Sequence, residues 1–120
     1  MNKFIFIFSL FFYLNSYAES TVKAGDSLIW DSENQSYTAT GSVEFSNDTF
    51  IAYSEKMIAQ YVEQGGKELF TIVELFENVR IELKDEVFLG DYAIYTRDDN
   101  IITLTGEVSI QSPTRLLKGH

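Results

Sequence analysis

Polar and apolar residues alternate with a period of two over 36–46. Ser36, Thr38, Thr40, Ser42, Glu44 and Ser46 form one series, and Tyr37, Ala39, Val43 and Phe45 the other. Successive side chains of an extended strand point to opposite faces, so this pattern predicts a strand with one dry face and one wet face. The motif returns with reversed parity at 102–111: Ile102, Leu104, Val108 and Ile110 are apolar, while Thr103, Thr105, Glu107, Ser109 and Gln111 are polar. A weaker third copy, Val73-Glu74-Leu75-Phe76-Glu77-Asn78-Val79-Arg80-Ile81, lies between them and extends to Leu83. Further strands are predicted at Ser27 to Trp30, Thr49 to Tyr61, Glu68 to Ile72, Glu86 to Leu89 and Tyr92 to Thr96. Turn chemistry separates them: Asp31-Ser32-Glu33-Asn34, Ser46-Asn47-Asp48, Gln64-Gly65-Gly66-Lys67, Lys84-Asp85-Glu86 and Asp98-Asp99-Asn100. A helix competes over Tyr53 to Gln64, where Ser54 to Gln60 contains good helix formers, but the strand-like flanks and the Gly65-Gly66 hairpin signal favour a strand.

The repeats hold their spacing without gaps. Shifting Ala24–Phe45 by 65 positions matches it to Leu89–Ile110, pairing Gly25-Asp26 with Gly90-Asp91, Ile29 with Ile94, Trp30 with Tyr95, and Thr40-Gly41 with Thr105-Gly106. Gly41 and Gly106 fall in mid-strand, where glycine weakens pairing and marks a bulge or a sheet corner. Corners stacked in register predict an open, layered β structure in which each unit buries its apolar face against its neighbours. Asp26 and Asp91, at equivalent positions, are expected to be structural.

Residues 1–18 stand apart. Lys3, the apolar stretch Phe4 to Leu14, and Ser16-Tyr17-Ala18 have the three parts of a secretory signal peptide, with cleavage expected after Ala18. An uncleaved membrane anchor is the alternative, although that stretch falls short of the roughly 20 residues a spanning helix needs. Removal leaves one domain, 19–120, with 8 basic and 18 acidic side chains once Lys3 is subtracted from the 9 basic residues of the whole chain. That acidity argues against nucleic acid as a partner, because such binding depends on neutralising phosphates. Cysteine is absent and the single proline is Pro113, so stability is expected from β pairing and core packing alone.

Catalysis is not expected. His120, at the last position, is the sole histidine, and there is no cysteine nucleophile. Asp48, Asp85, Asp98 and Asp99 sit in hairpin turns without the spacing of a calcium loop, so neither a metal nor a cofactor is implied.

The stacked repeats, the export signal and the Gly-Asp or Gly-His step before each following strand resemble the OstA-like family over about residues 24–120. The carriers are Thr40-Gly41-Ser42-Val43-Glu44-Phe45, Glu77-Asn78-Val79-Arg80-Ile81, Leu89-Gly90-Asp91-Tyr92-Ala93, Leu104-Thr105-Gly106-Glu107-Val108-Ser109-Ile110 and Leu117-Lys118-Gly119-His120. Glu77 replaces the glycine expected before Asn78-Val79, so the middle corner is expected to be less sharp or to face solvent. The chain also stops at His120, where family members continue with more strands.

The resemblance implies an all-β, twisted open β-jellyroll of antiparallel strands in the periplasm. Such a trough holds the lipid A acyl chains of lipopolysaccharide between its two sheets. It would form part of a bridge that joins an inner-membrane exporter to an outer-membrane receiver by end-to-end homo-oligomers. The lining expected is Tyr37, Val43, Phe45, Val79, Ile81, Ile94, Leu104, Val108 and Ile110, although the same side chains would equally fill a closed core. Arg80, Arg115 and Lys118 are expected to be solvated surface charges rather than phosphate ligands. A second reading is a membrane-anchored or structural module that grips a protein partner by its edge strand.

Overall fold

A computed structural model describes residues 3–6, 10–12, 20–112 and 115–117, with side chains over 20–111. The chain forms one open antiparallel sheet. Its strands are β1 (Lys3–Phe6), β2 (Leu10–Phe12), β3 (Ser20–Lys23), β4 (Ser27–Asp31), β5 (Ser36–Ser46), β6 (Ile51–Gln64), β7 (Lys67–Leu83), β8 (Glu86–Thr96), β9 (Ile101–Thr105), β10 (Ser109–Ser112) and β11 (Arg115–Leu117). The expected signal-peptide cleavage point, the proline at 113 and the histidine at 120 lie outside the described residues.

Strands β5 to β8 form a meander of long strands, and each runs through two leaves. The N-terminal half of β5 pairs with β4 and its C-terminal half with β3. At the other end, β8 pairs with β10 through its first half and with β9 through its second. One leaf therefore contains β4, the start of β5, the end of β6, the start of β7, the end of β8, and β9. The other contains β3 and β10 with the remaining halves.

The fold line between the leaves is made of paired left-handed residues. Gly41 and Ser42, Glu77 and Asn78, and Gly106 and Glu107 all have positive φ, from 45° to 85°. In the first copy, Gly41-Ser42 face Glu55 alone, because Thr40 pairs with Lys56 and Val43 with Ser54. In the second, Glu77-Asn78 face Asp91 between the pairs Phe76–Tyr92 and Val79–Gly90. Such bulges bend the strand and increase its twist. The middle corner has the same pair of positive φ angles as the others despite lacking glycine, and Glu77 and Asn78 are both exposed. Asn is among the residues that tolerate this region, whereas Glu bears the ordinary cost of about 1–2 kcal/mol. Glycine is required at the outer two corners for a further reason. A Cβ at Gly41 would come within 2.4 Å of the Asp26 carboxyl, and one at Gly106 within 2.4 Å of that of Asp91. The two aspartates thus pack directly on the corners, the structural role expected of them.

The bulges also decide which side chains face inward. A strand with two extra-wound residues keeps its parity across the corner: Tyr37, Ala39, Val43 and Phe45 on β5 are all buried, as are Val73, Leu75, Val79 and Ile81 on β7. The strand opposite must change parity. On β6 the inward residues are Ala52 and Ser54 before the corner but Met57 and Ala59 after it. The interior between the leaves is closed by Leu28, Phe45, Met57, Leu75, Val22, Val43, Val73 and Val79, each below 2% exposure. Full burial of side chains of this size contributes about 1.5–3 kcal/mol apiece.

Several boundaries differ from expectation. Glu68–Ile72 and the middle repeat are one strand with continuous pairing at Ile72 and Val73, and Glu86–Leu89 and Tyr92–Thr96 are one strand that passes the corner opposite Glu77-Asn78. The third repeat instead breaks into β9 and β10, and β3 has no counterpart among the expected strands. The helical alternative over 53–64 is replaced by β6, since Lys56 to Gln64 are paired along β7.

Gly106→Ala is expected to lower stability by about 2 kcal/mol through the αL penalty and the contact with Asp91, whereas Glu77→Gly should raise it by up to about 1 kcal/mol. Urea midpoints of the two variants check this: an unaffected Gly106→Ala protein would contradict the corner geometry.

Candidate functional site

Between the free ends of the two leaves the interior is only partly closed. On the β4 side an aromatic wall seals it. The Phe70 ring stands edge-on to Phe45 at 6.0 Å and to Tyr37 at 5.8 Å, and Tyr37 lies 5.4 Å from Tyr61. Tyr61, Leu69 and Phe70 belong to the tip of the β6–β7 hairpin, which extends beyond the pair Ser36–Gln60 and is anchored by the Tyr61 amide donating to the Gln35 carbonyl. A register shift between Gln60 and Tyr61 turns this tip, so adjacent residues Leu69 and Phe70 are both buried.

Two side-chain hydrogen bonds hold the tip down. Trp30 Nε1 donates to Tyr61 Oη at 2.6 Å, and Tyr37 Oη donates to Glu68 Oε1 at 2.9 Å. Burial pushes the Glu68 carboxyl above its usual range, and the Tyr37 hydroxyl only partly offsets this. Burial and the adjacent carboxylate raise the Tyr37 phenol strongly.

Toward β8–β10 the wall ends at Phe50 and Tyr95, whose rings meet edge-on at 5.1 Å. Beyond them lies a cleft of about 340 Å³ lined by Phe50, Ile81, Leu83 and Phe88 of one leaf, Tyr95, Ile102 and Leu104 of the other, and Thr49 and Asn100 at the turns. Its size falls at the small end of the roughly 300–1,000 Å³ typical of ligand pockets. Phe88, Tyr95, Ile102 and Leu104 are half-buried, in contrast to the sealed rows nearer β5. Gly90 contributes by omission, since a Cβ there would come within 2.8 Å of the Leu104 side chain. The cleft lies at an open edge: among the described residues, β9 pairs with β8 alone.

The expected lining divides accordingly. Ile81 and Leu104 line the cleft, and Ile110 pairs with the lining residue Phe88 and shares its face. Tyr37, Val43, Phe45 and Val79 point inward but are sealed in the core, with Val43 and Phe45 each 1% exposed. Val108 is 36% exposed in the unpaired stretch between β9 and β10. Ile94 is on the outer face, paired with Glu74 and Thr103. The reason is the change of parity on β8, where Phe88 faces inward before the corner and Ala93 and Tyr95 after it. Ile29, its repeat equivalent, is likewise paired with an outer residue, Thr38.

Phe50, Leu83, Phe88, Tyr95 and Ile102 were missed by sequence reasoning. Four of them flank turns or corners, where alternation gives no parity. Trp30 and Tyr95 matching in the repeat register was the usable signal, because both face inward.

A second hollow, about 440 Å³, lies along the outside of the fold line between Ser42, Glu44, Tyr53, Glu55, Asn78 and Arg80. Arg80 is already engaged there, with its guanidinium 2.8 Å from Glu82 and 5.7 Å from the Tyr53 ring centroid. Arg115 and Lys118, the other two cations considered for phosphate, lie outside the described side chains. Among the described residues no group of His, Cys, Asp and Glu could hold a metal ion. No protein-family model, curated protein or solved structure matches the chain.

Because the folded state raises the Glu68 pKa above the reference of 4.5, ionisation of this group opposes folding. The stability it contributes is complete below pH 4.5 and is lost as pH rises through the folded pKa. Glu68→Gln should therefore flatten the fall in stability between pH 4 and pH 7, as read from urea midpoints across roughly that range. An unchanged slope would contradict the burial of this carboxyl.

Proposed function

We propose that this protein is a non-catalytic carrier that holds the acyl chain of a lipid in the cleft between its leaves. On the OstA-like resemblance, the cargo is lipopolysaccharide. The chain then acts in the periplasm as one element of a bridge between an inner-membrane exporter and an outer-membrane receiver. The supporting observation is the gradient of closure: the same inward rows that are sealed from β4 to β7 become half-covered at β8–β10 and leave an apolar cleft. Each methylene buried in such a site contributes about 0.8 kcal/mol. The lining carries no charged group to clamp a head group. That suits cargo that must also be released.

The open edge of β9 supports the second reading, a structural module that pairs its free strand with a protein partner. The two readings use different surfaces. Strand addition occupies the backbone edge of β9, whereas the lipid occupies the face that carries Ile102 and Leu104.

Photoreactive residues at Ile102 and Leu104 should crosslink lipopolysaccharide, while those at Thr103 and Ile94, on the opposite face, should not. Equal labelling at all four positions would sink the carrier reading.

A further inference from the structure

Among the described residues the cleft is blocked on the side of the core and open on the side of β9. The block is the pair Phe50 and Tyr95, and ring contact continues behind it. Phe50 meets Phe45 at 5.9 Å, Phe45 meets Phe70 at 6.0 Å, and Phe70 meets Tyr37 at 5.8 Å, so a continuous file of rings fills the interior beyond the cleft. Both blocking residues are placed by backbone bonds. The β5–β6 turn sets Phe50, whose amide donates to Asn47 Oδ1 at 2.9 Å and whose carbonyl accepts from the Asn47 amide at 3.1 Å. Tyr95 is held in the ladder between Val73 and Ile102. Toward the fold line the space ends where Leu104 lies on Gly90.

The space so bounded has a definite capacity. An apolar cavity of about 150 Å³ accommodates the six carbons of benzene, or about 25 Å³ per carbon. At that packing the cleft of about 340 Å³ holds about thirteen carbons. One acyl chain fills it, and a second of equal length would need twice the volume. We propose that the cleft takes a single acyl chain and measures its length, with Phe50 and Tyr95 as the stop for the methyl end. This rests on the carrier reading and deepens it: a lipid with several acyl chains seats one of them here.

The test is calorimetric titration of the full chain with octyl, decyl, dodecyl, tetradecyl and hexadecyl maltoside, each below its micelle concentration. Affinity should rise about fourfold for each added methylene that lies in the cleft. The rise should level off near about thirteen carbons, between the dodecyl and tetradecyl probes, because further methylenes remain in water. Tyr95→Ala removes half of the stop and should move this break to longer chains. Leu104→Trp fills space from the opposite wall, leaves the stop intact and should move the break to shorter chains; it keeps the inference testable if circular dichroism shows that Tyr95→Ala does not fold. A rise that continues unbroken through hexadecyl in the native protein, a break that stays in place in either folded variant, or two maltosides bound per chain overturns the inference and leaves the carrier reading standing. If no maltoside of any length binds, the carrier reading falls and this inference with it.

Discussion

Three pairs of left-handed residues, on β5, on β7 and after β9, hold this structure in its shape. A β-strand cannot turn a sheet corner without breaking its ladder unless extra residues are wound into it, and Gly41-Ser42, Glu77-Asn78 and Gly106-Glu107 supply them. Because the corners align, one meander becomes two facing leaves with a shared interior. The conformational cost is partly avoided by glycine at the outer corners, where an aspartate carboxyl packs against the backbone. At the middle corner glutamate takes the same conformation at the ordinary cost of a side chain in this region.

The corners also set the packing, and through it the site. Each bulge preserves parity on its own strand and reverses it on the strand opposite, which brings Met57 and Ala59 inward on one side of the corner and Ser54 and Ala52 on the other. The interior so formed is closed unevenly. Phe45, Phe70, Tyr37 and Tyr61 seal one end, with the hairpin tip held over them by Trp30 and Glu68. At β8–β10 no second hairpin tip folds over the interior among the described residues, and the inward side chains line a cleft instead. The proposed carrier role rests on this incomplete closure: a core that fills its own interior at one end leaves the same kind of apolar surface open at the other.

Charge acts at a different level from packing. Apolar burial is non-directional and would admit any hydrocarbon chain of suitable width. The turns that terminate the leaves use aspartate and asparagine because these residues favour tight turns, as Asn47 illustrates by accepting from the Thr49 and Phe50 amides.

Local patterning suffices for the β class, the strand over 36–46 to the residue, the position of the corners and the structural role of Asp26 and Asp91. Each is written in local terms: a period of two, a glycine in mid-strand, a repeated dipeptide. Which apolar residues line the cleft is settled by packing between distant segments. Val43, Leu104 and Ile94 are indistinguishable by alternation, yet one is sealed in the core, one lines the cleft and one faces outward. Parity on β6 and β8 depends on bulges in their neighbours, and the degree of closure depends on whether another part of the chain folds over the rim. Both are relations between segments far apart in sequence, and no local pattern encodes them.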